Sequence, residues 1–379
     1  MQWPSCSGSL PTHVLGVLDR ARVSRNFLPE APVSLDTAAL ATFMDALGLP
    51  GQGRPIEATY VTGGASNDLY AITRGDYTVA LRKPPEVVPP GRNETMVREH
   101  RLLRTLAGTD VPHASLVAGC DDPSVLGGCF YLMEFVDGWS PIQEGTTWPA
   151  PFGEDLEARR GLAFELVDGI ARLSRVDWRA RGLQGFGKPE GFHERQVDRW
   201  LAHLRAFAFR PIPGLDEAAA WLRRHQPKTY VPGIMHGDYQ FANVMYRHGA
   251  PARLAAIVDW EMATVGDPLL DLGWVINGWP EDTSGAGGTG TGSTVSYVDY
   301  TGMPSAAELL AYYQKESGRP VDEIDYYVIL ARFKLAVVLE GGYARVVKGE
   351  ADNEKMEMFG DVVLDMARRA ADLAASTSL

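Results

Sequence analysis

The stretch MHGDYQFANVMY at residues 235–246, followed shortly by IVDWE at 257–261, decides the reading of this chain. Asp238 and Asn243 stand in a D-x-x-x-x-N spacing. That spacing suits two tasks at one phosphate: a carboxylate that takes the proton of an acceptor hydroxyl, and an amide oxygen that binds Mg²⁺. From Asn243 the chain runs out along one apolar strand, turns at 247–251 and returns along 254–258 to deliver Asp259. Antiparallel pairing with a short turn brings strand ends together, so Asp259 is expected beside Asn243, and the two oxygen donors make a site suited to Mg²⁺. Taken singly, Asp238 and Asn243 read better as turn residues and Asp259 as a helix cap. The three together, each at its place in a loop–hairpin–loop, favour the site. Just beyond, GDPLLDLGW (266–274) puts Asp267 and Asp271 four apart at the opening of a helix, where one is expected to cap the helix and the other to brace the loop that carries Asp238.

Working outward toward the N-terminus, three strand-like runs at 56–61, 68–73 and 77–82 are separated by the turn-rich segments TGGASN and RGD, an antiparallel meander. A helix is expected over 92–107, with Met96, Glu99, Leu103 and Leu106 on one face. Glu99 thus falls in an apolar stripe, where a carboxylate is costly unless it meets a cation. The strand VALRK offers Arg82 or Lys83, and side-chain alternation lets only one of them face inward. Such a pair would hold a cation over nucleotide phosphates; the competing reading is a solvated Glu99 at the edge of the stripe. TGGASN (62–67) is a glycine-bearing turn through which backbone N–H groups can approach phosphate oxygens, and a plain hairpin turn would look the same. Strands are also expected at 115–119 and 129–136. The second, CFYLMEFVDGW with its flanks, leads out of the β-rich part, where its backbone can receive an adenine bordered by Met133 and Phe135; a plain core strand fits the residues equally.

The rest reads as helices at 154–175, 192–208, 215–225, 305–316, 323–347 and 353–374. Near the start, a helix is expected from an N-cap at Ser34, with Leu40, Phe43, Met44 and Leu47 in one apolar stripe and Gly48 ending it. Strands first and helices after make an α+β pattern with a cleft between two lobes. The expected division is a flexible leader at 1–33, a nucleotide-phosphate-binding lobe at 34–136 and a helical lobe at 137–379 that carries the catalytic loop, the metal site and the acceptor pocket. The glycine-rich 283–296 reads as a mobile loop, either a lid over the acceptor or an inert insertion. Trp200, Trp274 and Trp279 can line an acceptor pocket for an apolar or ring-containing substrate or serve the core.

Composition fits these expectations. With 379 residues, 45% hydrophobic and 22% charged, the chain reads as an ordinary globular protein. A net charge of −12 argues against nucleic acid or an anionic membrane as partner. No run approaches the roughly 18 apolar residues that span a bilayer and the start lacks a basic signal region, which points to the cytoplasm. Three cysteines without metal-ligand spacing imply neither a zinc site nor a disulfide framework.

HGDYQFANVMY followed by IVDWEMATVGDPLLDLGW resembles the catalytic and metal-binding motifs of the aminoglycoside phosphotransferase and choline kinase group of protein-kinase-like enzymes. The resemblance implies a two-lobed fold with a small antiparallel N-lobe and a helical C-lobe. It implies Asp238 as catalytic base, Asn243 and Asp259 as Mg²⁺ ligands, and His236 as a brace of the loop. It extends to GGASNDLY as the phosphate loop (Gly63, Gly64, Ser66, Asn67), VALRKPP as the strand of the phosphate cation, MVREHRLLRTL as the helix of Glu99, and FYLMEFVDG as the hinge (Met133, Glu134, Phe135). LRKPP, REHRLLRTLAGTDVP and GFGKPEGFHERQVDRW are most similar to phosphotransferase domains related to acyl-CoA-dehydrogenase-fused proteins. ATP or GTP with Mg²⁺ is then the implied donor, and a hydroxyl-bearing small molecule, a hydroxyacyl-CoA among them, the implied acceptor. An antibiotic O-phosphotransferase and a nucleotide-binding pseudokinase are the alternatives. The sequence departs from the family where Arg82 replaces the usual Lys; a planar two-pronged guanidinium binds phosphate differently from a point charge, so Arg82 is the preferred phosphate cation but Lys83 remains open.

Overall fold

The structure, a computed structural model, describes residues 35–379 except 64–66, 142–146, 282, 284–297 and 352–353. The expected leader at 1–33, the cap at Ser34, the loop residues Gly64 and Ser66, and all of the glycine-rich segment but Thr283 lie outside the described residues. Two compact units emerge: residues up to Ala107 together with Ala114–Asp137, and Gly108–His113 together with Gly138–Leu379.

The first unit is built on a five-stranded antiparallel sheet in the order β1-β2-β3-β5-β4. Its strands are β1 (Glu57–Gly63), β2 (Asp68–Arg74), β3 (Tyr77–Lys83), β4 (Leu116–Cys120) and β5 (Phe130–Glu134). Alternation sorts the side chains. Tyr70, Ile72, Val79, Leu81, Phe130 and Leu132 make one core with Leu40 and Met44 of α1 (Thr37–Ala46). Arg82 pairs in register with Tyr131, one step off that face. Helix α2 (Arg92–Leu106) buries Met96, Glu99, Leu102, Leu103 and Leu106. Helix α1 is capped by Asp36, whose Oδ1 accepts from the N–H groups of Ala38 and Ala39 at 3.1 and 2.9 Å. This replaces the expected cap at Ser34: both residue types cap well, and Asp36 stands directly ahead of the first helical residue. Leu47, expected in the buried stripe, is 51% exposed because the helix has already ended.

The second unit is mainly helical: α3 (Leu156–Arg175), α4 (Phe192–Arg205), α5 (Leu215–Arg224), α6 (Leu269–Asn277), α7 (Ala306–Ser317), α8 (Ile324–Val347) and α9 (Glu354–Ser376). Two small ribbons, β6 (Gly233–Met235) with β9 (Thr264–Gly266) and β7 (Val244–Tyr246) with β8 (Leu254–Ile257), hold the segment of interest. The β7–β8 hairpin follows the sequence expectation; the β6–β9 ribbon was not foreseen, since three-residue strands leave too short a pattern to read. No helix among the described residues is long and apolar enough to cross a membrane.

Helix α8 is the central element and packs against α6 and α9. It meets α6 at Gly273, where a Cβ would lie 2.7 Å from both the carbonyl carbon and the Cβ of Tyr327. Backbone cannot yield there as a side-chain tip can. Gly273→Ala is therefore expected to destabilise the protein by about 1–3 kcal/mol through overpacking, whereas Gly278→Ala, with ordinary φ of −87° and nearest contact at 3.8 Å, is expected to stay within about 0.5 kcal/mol. Urea midpoints of the two variants decide; equal midpoints would remove the close approach as a constraint.

Candidate active site

Everything proposed for chemistry in the second unit hangs on how residues 236–243 are held. Gly237 takes φ +87°, and a Cβ there would meet the Met262 carbonyl oxygen at 2.6 Å, so the turn admits only glycine. The buried Asp271 in the first turn of α6 accepts from the His236 N–H at 2.6 Å and from the Gly237 N–H at 2.8 Å. Asp267, one step earlier, accepts from Leu269 N–H at 3.2 Å and is held by His193 at 2.9 Å and the Tyr327 hydroxyl at 2.6 Å. The two aspartates divide the tasks expected of them. On the other side, Tyr239 donates its hydroxyl to the Leu166 carbonyl and Tyr246 to that of Leu162, both at 2.7 Å, which ties the loop and its hairpin to α3.

His236 is fully buried. Its Nε2 lies 2.8 Å from the Val258 carbonyl and its Nδ1 3.4 Å from the Asp238 N–H, an arrangement satisfied by a neutral ring carrying its proton on Nε2. Burial pushes its pKa down to about 4.

Asp238 is half-buried. One carboxylate oxygen accepts from Gln240 Nε2 at 3.0 Å and the other from Asn243 Nδ2 at 2.9 Å; Asn243 Nδ2 also donates to the Asp238 carbonyl at 2.7 Å. Using Nδ2 in this way turns the amide oxygen of Asn243 away from Asp238 and leaves it available to a cation. Burial raises the Asp238 carboxyl to about 6, opposed by the Lys334 ammonium and by the Asn243 bond and assisted by Asp259. Asp259 follows Val258, whose N–H donates to the Asn243 carbonyl at 2.9 Å, so the hairpin does return it to Asn243. Asp259 sits at φ +64°, and it alone among the described non-glycine residues has positive φ. A left-handed aspartate persists only where its surroundings over-determine it, as they do at functional sites. Asn243 and Asp259 thus offer an amide oxygen and a carboxylate, the hard donors that Mg²⁺ prefers, and the residues present fit that ion.

One residue of this site was missed in the sequence. Lys334 of α8, 6% exposed, donates from Nζ to the Gly237 carbonyl at 2.6 Å. Its ammonium lies 4.6 Å from the ring centroid of Trp274 and 5.6 Å from that of Trp200. Burial lowers its pKa to about 8 while Asp238 and Asp271 support the charge, so it is mostly cationic at neutral pH. The signal was present as one lysine inside the apolar run YYVILARFKLAVV, too little to be distinguished from a solvated face. Trp279, by contrast, packs against Phe241 and donates to the Pro304 carbonyl at 2.8 Å.

In the first unit, Arg82 Nε lies 3.0 Å from Glu99 Oε2, and the Tyr131 hydroxyl donates to the same oxygen at 2.7 Å. Arg82 is therefore the cation that meets Glu99, while Lys83 bonds the Pro84 carbonyl at 2.7 Å and lies 3.9 Å from Asp68. Gly63 ends β1 opposite Asp68, and Asn67 is buried at the head of β2. Glu134 N–H donates to the Ser115 carbonyl, and its carboxylate accepts from the Ser115 N–H and hydroxyl, so its side chain is engaged across the β4–β5 pairing; Met133 and Phe135 are half-buried.

A cavity of about 420 Å³ elsewhere in the second unit is lined by Arg175, Arg319 and Trp178. Arg319 donates to the carbonyls of Ser174, near the end of α3, and Val231; Arg175 donates to that of Glu316, near the end of α7; Arg179 lies over the Trp178 ring. The Ser174 and Glu316 contacts stabilise helix C-termini.

Residues 57–309 match the phosphotransferase enzyme family (APH). Among curated proteins, mouse acyl-CoA dehydrogenase family member 10 is 29% identical over 321 residues, 84% of this chain and 29% of that protein. Human acyl-CoA dehydrogenase family member 11 is 28% identical over 354 residues, 90% of this chain and 43% of that protein. The chain spans less than half of the length of these relatives. Among solved structures, a candidate aminoglycoside phosphotransferase from Ralstonia eutropha JMP134 is 30% identical with a TM-score of 0.77, covering 91% of this chain and 100% of that one. Macrolide 2′-phosphotransferase MphH of Brachybacterium faecium, at 20% identity and TM-score 0.55 over 87% and 97% of the two chains, shares the fold.

The buried His236 generates a pH test. Its folded pKa of about 4 lies below the ordinary 6.5, so the unfolded chain takes up a proton below pH 6.5 that the folded chain refuses until about pH 4. Stability from this group is complete above pH 6.5 and is lost as pH falls toward 4, by up to about 1.4 kcal/mol per pH unit. Asp238 and Asp271, both raised to about 6, run the other way over part of this window. The readout is therefore the urea-unfolding difference between wild type and His236→Gln, expected to widen from pH 4.5 to 6.5 and then stay constant. A difference independent of pH would mean that the ring titrates alike in the folded and unfolded chain, so that burial does not hold it neutral.

Proposed function

This chain belongs to the phosphotransferase enzyme family, and on that premise we propose that it is a kinase that transfers the γ-phosphoryl group of ATP to the hydroxyl of a small molecule. The observation that carries the proposal is the Asp238 carboxylate, aimed by Gln240 and Asn243 and flanked by Asp259. Asp238 receives the acceptor hydroxyl by hydrogen bond, orients its oxygen in line with the γ-phosphorus and takes its proton as the new P–O bond forms and the bond from the γ-phosphorus to the departing ADP oxygen breaks. Its raised pKa keeps it basic enough for that task and still largely ionised at neutral pH. Asn243 and Asp259 would hold Mg²⁺, which when bound would neutralise charge on the nucleotide phosphates. Arg82, fixed by Glu99 and Tyr131, is the cation proposed for the nucleotide phosphates in the first unit. Gly63, Gly64, Ser66 and Asn67 are proposed for its phosphate turn, and Met133, Glu134 and Phe135 for the adenine.

For the acceptor, the similarity to acyl-CoA dehydrogenase family members 10 and 11 supports a hydroxyacyl-CoA-like molecule. The aminoglycoside and macrolide phosphotransferases among the structural neighbours keep an antibiotic acceptor as the second reading.

Mg²⁺-dependent ADP release, measured against hydroxyacyl-CoAs, aminoglycosides, macrolides and amino alcohols, tests this. One acceptor class is expected to stimulate turnover. Asp238→Ala is expected to lower kcat by on the order of 10²–10⁴ with nucleotide binding retained. Undiminished turnover in that variant would refute the base.

A further inference from the structure

The surroundings of Lys334 hold more hydrogen-bond donors than the protein supplies acceptors for. Of the three ammonium N–H groups, one donates to the Gly237 carbonyl; among the described residues no acceptor takes the other two. The neighbouring Trp200 is 7% exposed, and its indole Nε1 is buried with no hydrogen-bond partner. An orphaned buried donor is rare, since leaving it unmade forfeits its bond to water. Here two donor groups whose ring and ammonium lie 5.6 Å apart share the same lack. They adjoin the catalytic turn: Lys334 bonds the residue before Asp238, and its charge acts on the Asp238 carboxylate. Arg199, 5.5 Å from the Trp200 ring, adds a further exposed cation.

The Lys334 ammonium lies against the rings of both Trp274 and Trp200. An acceptor ammonium brought to these rings would meet that like charge.

We propose that Lys334 and Trp200 form a specificity subsite that binds a carbonyl or carboxylate oxygen of the acceptor, selecting hydroxyl compounds that carry such an oxygen close to the phosphorylated hydroxyl. This deepens the kinase reading and rests on it. A free hydroxy acid and a hydroxyacyl thioester share the required oxygen, and the overall acidity of the chain, net charge −12, does not describe this spot.

The test compares 3-hydroxybutyryl-CoA, 3-hydroxybutyrate, 1,3-butanediol and choline as acceptors for the full chain, wild type beside Lys334→Met, Lys334→Arg and Trp200→Phe. Wild type is expected to prefer the thioester or the acid over the diol, which keeps the hydroxyl and lacks the oxygen. In Lys334→Met that preference is expected to fall about 10- to 100-fold, the range for a lost charged hydrogen bond, chiefly through KM for the acceptor, with KM for ATP unchanged. Lys334→Arg should restore part of it. Trp200→Phe, which keeps an aromatic ring and removes the N–H, should lower it by about 2- to 10-fold. Equal losses for diol and thioester in both variants would reduce Lys334 to a brace of the loop and overturn the subsite. Calorimetric titration of the thioester and the acid separates this from the kinase reading. If none of the four acceptors is turned over, binding that weakens in Lys334→Met and Trp200→Phe still supports the subsite while turnover fails the kinase; absence of binding to wild type overturns the subsite.

Discussion

A single buried carboxylate organises the second unit. Asp271 accepts two consecutive backbone N–H groups, those of His236 and Gly237, at a turn whose φ and crowding admit only glycine. A turn buried this deeply has no water to take its donors, so an acceptor must come from elsewhere in the chain. The first turn of α6 supplies it, and the β6–β9 ribbon holds the two segments in register. The carboxylate is then itself a charge away from water, which is tolerable because two N–H dipoles and the nearby Lys334 ammonium compensate it. The backbone position of Asp238 follows from that turn, while burial keeps His236 neutral and the Tyr246 hydroxyl ties the β7–β8 hairpin to α3.

The first unit meets the same problem with a different pair. Glu99 is 1% exposed and faces a sheet rather than solvent. Strand alternation puts Arg82 and Tyr131 in register on the strands it faces, and both reach the same carboxylate oxygen. In both units a buried acid fixes a polar group that the proposed chemistry needs, and in both the apolar packing around the acid makes the bond strong and its loss expensive.

These two acids also mark what was legible in the sequence. Glu99 could be read because a helix of clear period placed it among leucines, and VALRK stood ready as a neighbouring strand. Arg82 could not be separated from Lys83 by sequence alone, because alternation says that one of two adjacent residues faces inward without saying which; the sheet register decides it. Asp238, Asn243 and Asp259 were legible because an antiparallel hairpin converts sequence distance into spatial proximity. Lys334 was not: it stands 96 residues beyond Asp238, and no local pattern foretells which face of a thoroughly buried helix meets a loop. The β6–β9 ribbon escaped for the related reason that three residues carry no period.

The lysine also separates what composition says from what a site requires. A chain of net charge −12 favours cationic or neutral ligands in bulk, through a field screened within about 10 Å at ordinary ionic strength. Selection at the reacting hydroxyl is made at hydrogen-bond distance, where the number of donors left over counts for more than the sum of distant charges. Among the described residues around the Asp238 loop, N–H donors of Lys334 and Trp200 stand without acceptors, while the carboxylates of Asp238 and Asp271 already accept bonds. A ligand that completes this arrangement must bring oxygen. The surface charge of this chain therefore carries little weight in choosing among candidate acceptors, and the hydrogen-bond inventory of α4, α6 and α8 carries most of it.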